Sequence, residues 1–290
     1  MFLDLRQQYL KEGFIFVRGL LAPESVQRLR LHSEYVLSQW RLGNAENGKQ
    51  GIDSPDATVL RHLNHPGYFK NRRDWLVEIL EIAADPKVLE VVSEVFDDEP
   101  LFRCTSLFFN PLEQGKDGNW HRDCQFTSES EEVERERFDA EIDRIRKEGR
   151  VAGIQMQIAL VPSEDSEYVP GSHLNWDTDD QYFVRQGEGQ KHNGSNLMPG
   201  AVRMHQEPGD AAAFHAYGLH RGRYHADKFR RTLMLTYTSM SADHREDYFT
   251  FQPWCLEPGY LDGVSSGTKK FFERFIDAYE PYWKREETGK

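Results

Sequence analysis

Apolar and polar positions follow two rhythms along this chain, and the switch between them predicts its elements. From Leu21 to Trp40 the apolar residues recur at helical spacing, with Pro23 near the start, where a first-turn proline is tolerated. Trp75 to Phe96 keeps that period but is broken at Asp85-Pro86, which predicts two helices, and Phe271 to Trp283 predicts a last amphipathic one. The middle of the chain has strand character instead. Phe102 to Phe109 reads as a buried strand, and Val151 to Val161 as a second, with Gln155 and Gln157 on one face and Ile154, Met156 and Ile158 on the other. Ala211 to Phe214 is a short apolar strand leading toward His215 and His220, and Thr232 to Thr238 is the last clear strand, opened by Arg230 and Arg231. Tight turns fall at Tyr168 to His173 and at Pro208-Gly209-Asp210. Between the first two strands, Ser128 to Arg150 is dense in Glu and Arg with Phe138, Ile142 and Ile145 at helical intervals. It predicts an amphipathic helical insertion over 128–150, either a solvated surface helix or a lid whose apolar stripe closes over a pocket.

Composition narrows the class. At 290 residues the chain can bury a sizeable core and is expected to form one domain, with no long linker and no internal repeat. A net charge of -12 and a pI near 5.4 argue against nucleic-acid or anionic-membrane partners, and a small soluble substrate fits better. Met1 to Gln8 lacks a signal-peptide pattern and no apolar run approaches the roughly 20 residues that span a bilayer, so a cytoplasmic location is expected. Cys104, Cys124 and Cys255 form neither a disulfide framework nor a zinc cluster, and each is expected to be a free thiol.

The candidate chemistry lies at His121-Arg122-Asp123. On an extended segment, residues two apart share a face, so an imidazole and a carboxylate can converge on one metal ion, and a distant second imidazole would complete the set. Two histidines and one carboxylate leave half of an octahedral ion open, as non-haem Fe(II) oxygenation requires. With 11 histidines and 48 acidic residues, chance gives about two His-x-Asp/Glu matches, and the chain holds five, so context must choose. His32/Glu34 lies in a helical pattern, where such residues point apart, and His205/Glu207 runs straight into Pro208-Gly209. His225/Asp227 and His244/Glu246 lie in polar, surface-like stretches. His121/Asp123 alone follows a buried strand and a turn containing Gly and Asn. Arg103, Trp120 and Gln125, with Gln155 and Gln157, are candidates to line a pocket around it.

Several segments, in order, carry a resemblance to a known family. They are Tyr9 to Gly19 with Leu20 to Leu29 behind it, His121-Arg122-Asp123, Val169 to His173, Pro208-Gly209-Asp210, His220, and Phe229 to Leu233. The chain resembles the phytanoyl-CoA dioxygenase family of Fe(II)- and 2-oxoglutarate-dependent oxygenases. The resemblance implies a double-stranded β-helix, a cupin-like jelly-roll that is mainly β with flanking α-helices. These helices are a possible homodimer contact. It also implies His121, Asp123 and His220 as iron ligands, with His215 and His225 as competitors for the third place. His173 would be structural. Arg230 would hold the far carboxylate of 2-oxoglutarate, with Arg231 as the alternative, because neighbouring strand residues face opposite ways and only one can point inward. Gln155 and Gln157 would line the cofactor site. The implied cofactors are Fe(II), 2-oxoglutarate and O2. The implied reaction is hydroxylation of a small metabolite or natural-product intermediate with release of succinate and CO2, favoured over halogenation because Asp123 is a carboxylate. Two alternatives stay open: a cupin-like metalloenzyme that does not use 2-oxoglutarate, and a non-catalytic, metabolite-binding member of the fold.

Overall fold

The computed structural model describes residues 4–47, 57–69, 71–244 and 247–288, so the segment read as lacking a signal pattern begins outside the described residues. The predicted strands pair into two antiparallel sheets. The larger has the order β1 (Phe14–Val17), β8 (Ala211–Phe214), β5 (Gly153–Ala159), β10 (Thr232–Ser239), β3 (Pro100–Phe108) and β2 (Val59–Arg61). The smaller runs β4 (Lys116–Asp117), β9 (His220–Tyr224), β6 (Ser163–Tyr168) and β7 (Val202–Gln206). This is the jelly-roll: two facing sheets whose facing sides enclose a space.

Residue alternation gives the large sheet two different faces. One row of register partners is Arg61, Ser106, Met234, Gln157 and Ala212, and the next is Cys104, Thr236, Gln155 and Phe214. These rows look across at the small sheet, as the bond from Ser166 Oγ on β6 to Gln157 Oε1 at 2.6 Å demonstrates. The alternate residues, among them Leu60, Leu107, Leu233, Leu235, Ile154, Met156 and Ile158, are buried in the main apolar core. Helices α1 (Leu5–Glu12), α2 (Pro23–Asn47), α3 (Arg73–Ala83), α4 (Pro86–Phe96) and α7 (Ser266–Thr288) supply the other side of that core. The expected break at Asp85-Pro86 separates α3 from α4, and the Asp85 side chain caps α4 by accepting from Lys87 N at 2.8 Å.

The acidic and basic insertion forms α5 (Glu131–Glu148), started by Ser130, whose hydroxyl accepts from Val133 N, and closed by Gly149 at φ 65°. Its apolar stripe, Phe138, Ile142 and Ile145, is buried against the body of the protein, with the Phe138 ring 5.1 Å from that of Trp176. A further helix, α6 (Asp179–Gln190), follows a Thr178/Gln181 capping box. No helix among the described residues is long and apolar enough to cross a membrane. The three cysteines are free and buried.

Phe102 ties sheet to helix: it is fully buried and its ring lies 4.9 Å from Phe272 and 5.0 Å from Phe275 of α7. Phe102→Ala is expected to cost about 3–5 kcal/mol, the price of a large core cavity. A urea titration followed by circular dichroism measures it as a lower midpoint at unchanged slope.

Candidate metal centre

His121, Asp123 and His220 come together although His220, the first residue of β9, lies far along the chain from the other two. His121 and His220 form an isolated antiparallel bridge in which each donates its backbone N–H to the other's carbonyl at 3.0 Å. Asp123 N is in turn held by Ala216 O at 2.9 Å. Directly opposed residues share a face, so the two imidazoles stand side by side with centroids 4.2 Å apart. Asp123 Oδ1 lies 3.5 Å from Nε2 of each. One ligand atom from each of the three falls within 4.8 Å of the others.

The surroundings fix which atoms face the centre. Nδ1 of His121 meets Asn119 O at 2.7 Å and Nδ1 of His220 meets Gly218 O at 2.9 Å. A carbonyl only accepts, so in a neutral ring the hydrogen sits on Nδ1 and the Nε2 lone pair is left for a metal. Burial, reinforced by the neighbouring His220, lowers His121 to about 4, which keeps it neutral at pH 7. Burial alone would raise Asp123, but His220, which donates to it and attracts it when protonated on Nε2, His121, which attracts it in the same state, and the Gln155 amide together outweigh burial and hold the carboxyl below its usual range. Gln155 Nε2 donates to Oδ2 of Asp123, leaving Oδ1 toward the histidines. The donor set therefore fits a divalent cation of the kind that takes imidazole and carboxylate.

The two arginines separate as alternation requires. Arg230 is 1% exposed and points into the space between the sheets, its guanidinium carbon 5.4 Å from the Phe108 ring and 5.3 Å from that of Tyr224. Its polar contacts are loose: 3.4 Å to Thr232 Oγ1, 3.4 Å to Arg223 O and 3.7 Å to Asp165. Arg231 turns outward and is gripped by Glu34 of α2 through two bonds of 2.6 and 2.9 Å. Its fork is already occupied, which removes it as an anchor inside the barrel.

Other candidates are placed elsewhere. Trp120 is turned away from the ligands, because it neighbours His121 on an extended segment. It is buried with Val169, Val184, Met198 and Leu219, under the Arg221 guanidinium, with Nε1 donating to Ser195 O. Gln157 spends its carbonyl oxygen on Ser166. Gln125 lies in a short 3-10 turn, Asp123–Thr127, and accepts from Arg185 at 3.3 Å. Arg103 sits on β3, ion-paired with Asp247. Both nitrogens of His215 are engaged, Nε2 by Glu141 at 3.0 Å and Nδ1 by Tyr217 N at 3.1 Å. His225 stands near Asp117 at 3.9 Å, and His173 Nε2 meets Leu10 O at 3.1 Å. Glu246, of the pair His244/Glu246, lies outside the described residues.

A buried ion cluster behind the metal centre has no counterpart in the sequence reading. Arg122, between the two ligands, faces away from them and is fully buried, bound by Asp177 at 2.7 and 3.1 Å and by the carbonyls of Ser172, Asn175 and Tyr217. Asp177 also takes Arg185 at 2.5 Å, and Arg185 reaches Glu134 of α5 at 2.9 Å. The alternation that places His121 and Asp123 on one face was the available signal, since it sends Arg122 into the interior, where a cation needs a carboxylate.

A jelly-roll with two imidazoles and one carboxylate converging inside it, and a buried guanidinium further along, defines the class: a non-haem metal-dependent protein of the cupin-like type. The sequence model of the family described as phytanoyl-CoA dioxygenase (PhyH) matches residues 9–232, and the chain belongs to that family. The family's cofactors are Fe(II), 2-oxoglutarate and O2. Similar solved structures include AviO1 from Streptomyces viridochromogenes Tue57 (18% identity, 83% of this chain and 96% of that one, TM-score 0.56). They also include the α-ketoglutarate-dependent epimerase SnoN from nogalamycin biosynthesis (18% identity, 90% and 88%, TM-score 0.55). A third is EctD from S. alaskensis with 2-oxoglutarate and 5-hydroxyectoine (15% identity, 93% and 86%, TM-score 0.55). No curated protein sequence matches the chain.

Removing Asp177 would take the carboxylate from buried Arg122 and leave buried Arg185 with Glu134 alone. Asp177→Ala is expected to destabilise the protein by about 3–5 kcal/mol, as breaking a buried pair does, whereas Asp139→Ala, which breaks an exposed i,i+4 pair with Arg135, should cost no more than about 0.5 kcal/mol. Chemical denaturation of the two variants side by side tests the contrast.

Proposed function

We propose that the protein is an Fe(II)- and 2-oxoglutarate-dependent dioxygenase that hydroxylates a small molecule in the cytoplasm, with His121, Asp123 and His220 as the metal ligands and Arg230 as the cosubstrate anchor. The observation that carries the reading is the convergence of the three ligand atoms within 4.8 Å at one end of an interior whose other wall holds the buried Arg230 guanidinium, only loosely paired with Asp165 at 3.7 Å. Held by His121, Asp123 and His220, Fe(II) with 2-oxoglutarate would supply dioxygen activation, one oxygen atom going to the substrate and the other to the succinate left after loss of CO2.

The chain's own part is placement. The Asn119 and Gly218 carbonyls keep the two histidines in the metal-binding tautomer, and Gln155 orients Asp123. The Arg230 fork, with Phe108 and Tyr224 beside it, meets a dicarboxylate at the far end. Hydroxylation is preferred to halogenation because Asp123 supplies a carboxylate where a chloride would have to bind, and EctD, a similar fold, holds 2-oxoglutarate and 5-hydroxyectoine in its crystal structure. Epimerisation by SnoN and carbocyclisation by SnoK on similar folds are the competing outcomes at the same centre.

Calorimetric titration with 2-oxoglutarate in the presence of Fe(II) and absence of oxygen separates the arginines. Arg230→Ala should lose about 10- to 100-fold in affinity, the worth of a bidentate charge-assisted contact. Arg231→Ala should keep near wild-type affinity and lose at most about 1 kcal/mol of stability from the half-exposed Glu34 pair. Undiminished binding by Arg230→Ala would remove the anchor and with it this reading.

A further inference from the structure

Arg61 is a partly buried cation that the proposed reaction leaves unused. It ends β2, its register partner is Ser106, and the row it belongs to faces the small sheet rather than the helices. Leu60, on the opposite side of the same strand, is fully buried in the main core. The guanidinium lies against two aromatic faces, 5.4 Å from the Phe108 centroid and 5.0 Å from that of Phe249, and it spends one donor on Ser106 Oγ at 3.1 Å. Among the described residues no acidic side chain pairs with it: Asp247 goes to Arg103, and Glu34 to Arg231. The Arg230 guanidinium carbon lies 5.4 Å from the same Phe108 ring, so both cations border that ring. The chain then turns at once. His62 has φ 57°, a left-handed conformation that is strained in a non-glycine residue, and its N–H is tied to Thr105 O at 2.8 Å. That strained turn sets the end of β2 and with it the position of Arg61.

We propose that Arg61 anchors an anionic group, carboxylate or phosphate, on the organic substrate, with Phe249 as the aromatic surface beside it. The inference rests on the dioxygenase reading, which assigns Arg230 to 2-oxoglutarate and leaves Arg61 for the second ligand. A guanidinium placed beside two aromatic rings with donors to spare is preorganised for a planar or tetrahedral oxyanion. The chain's net charge of -12 gives an anion no general attraction, so recognition has to come from a local cation of this kind.

The test is anaerobic calorimetry on the Fe(II)-loaded protein with saturating 2-oxoglutarate, using 3-phenylpropanoate, 2-phenylethyl phosphate and the neutral 3-phenylpropanamide as probes. Wild type should bind at least one of the anions tenfold or more tightly than Arg61→Leu does, should prefer it to the amide, and should share part of that preference with Arg61→Lys. The tighter of the two anions identifies carboxylate or phosphate as the source. Equal binding of the anions by wild type and Arg61→Leu, including no binding by either, overturns the proposal. So does a loss confined to 2-oxoglutarate affinity, which would make Arg61 a second cosubstrate contact. If wild type fails to bind 2-oxoglutarate, the dioxygenase reading falls by itself, and the Arg61-dependent preference for anions is still read from the same titrations without it.

Discussion

The reciprocal backbone pair between His121 and His220 is the constraint on which the site depends. Two N–H groups and two carbonyls close a small ring at 3.0 Å, and that ring fixes the separation of side chains far apart in sequence. Metal ligands tolerate little positional error, and a side chain on a loose loop would give it. Here the backbone sets the distance before any ion is bound. The carbonyls of Asn119 and Gly218, each two residues before its histidine, then set the ring orientation in the same way at both positions.

An extended segment has two faces, and the one that does not hold ligands holds the segment in place. Arg122 reaches from between His121 and Asp123 into a cluster with Asp177, Arg185 and Glu134 that also ties down α5 and the start of α6. Buried ion pairs contribute little net stability compared with apolar packing, because desolvation offsets their attraction. What such a cluster does supply is direction: Arg122 is bound by one carboxylate and three carbonyls, so its strand cannot roll without breaking several bonds at once. The same logic holds on the outer face of the small sheet, where Glu167 meets Arg221 at 2.6 Å and Asp117 meets Arg223 at 2.8 Å on the strand that begins with His220.

The segments whose two faces differ in polarity were legible in the sequence. β8 falls on the four residues expected, β10 starts at Thr232, and the helix break falls at Asp85-Pro86. The convergence of His121, Asp123 and His220 and the opposite facing of Arg230 and Arg231 followed from period-two alternation together with the family resemblance. β6, Ser163 to Tyr168, was not legible, because its outward residues serve ion pairs and its inward residues bond across the barrel, so both faces are polar. Trp120 was misread as a pocket residue because an aromatic beside a ligand suggests a wall, although alternation sends it to the other side. Arg61 gave no signal, since the register that turns it inward belongs to a three-residue strand with little pattern of its own. Partners such as Asp177 for Arg122 depend on tertiary placement that local spacing does not encode.

Anaerobic titration with Fe(II), with and without 2-oxoglutarate, tests the central claim most directly, read by the visible charge-transfer absorption of the metal chelate in wild type and in His220→Ala. The account predicts that the band forms in wild type only when both are present and is lost when the His121–His220 pair no longer offers two imidazoles. A wild type that forms no band, or a His220→Ala protein that forms it undiminished, would contradict it.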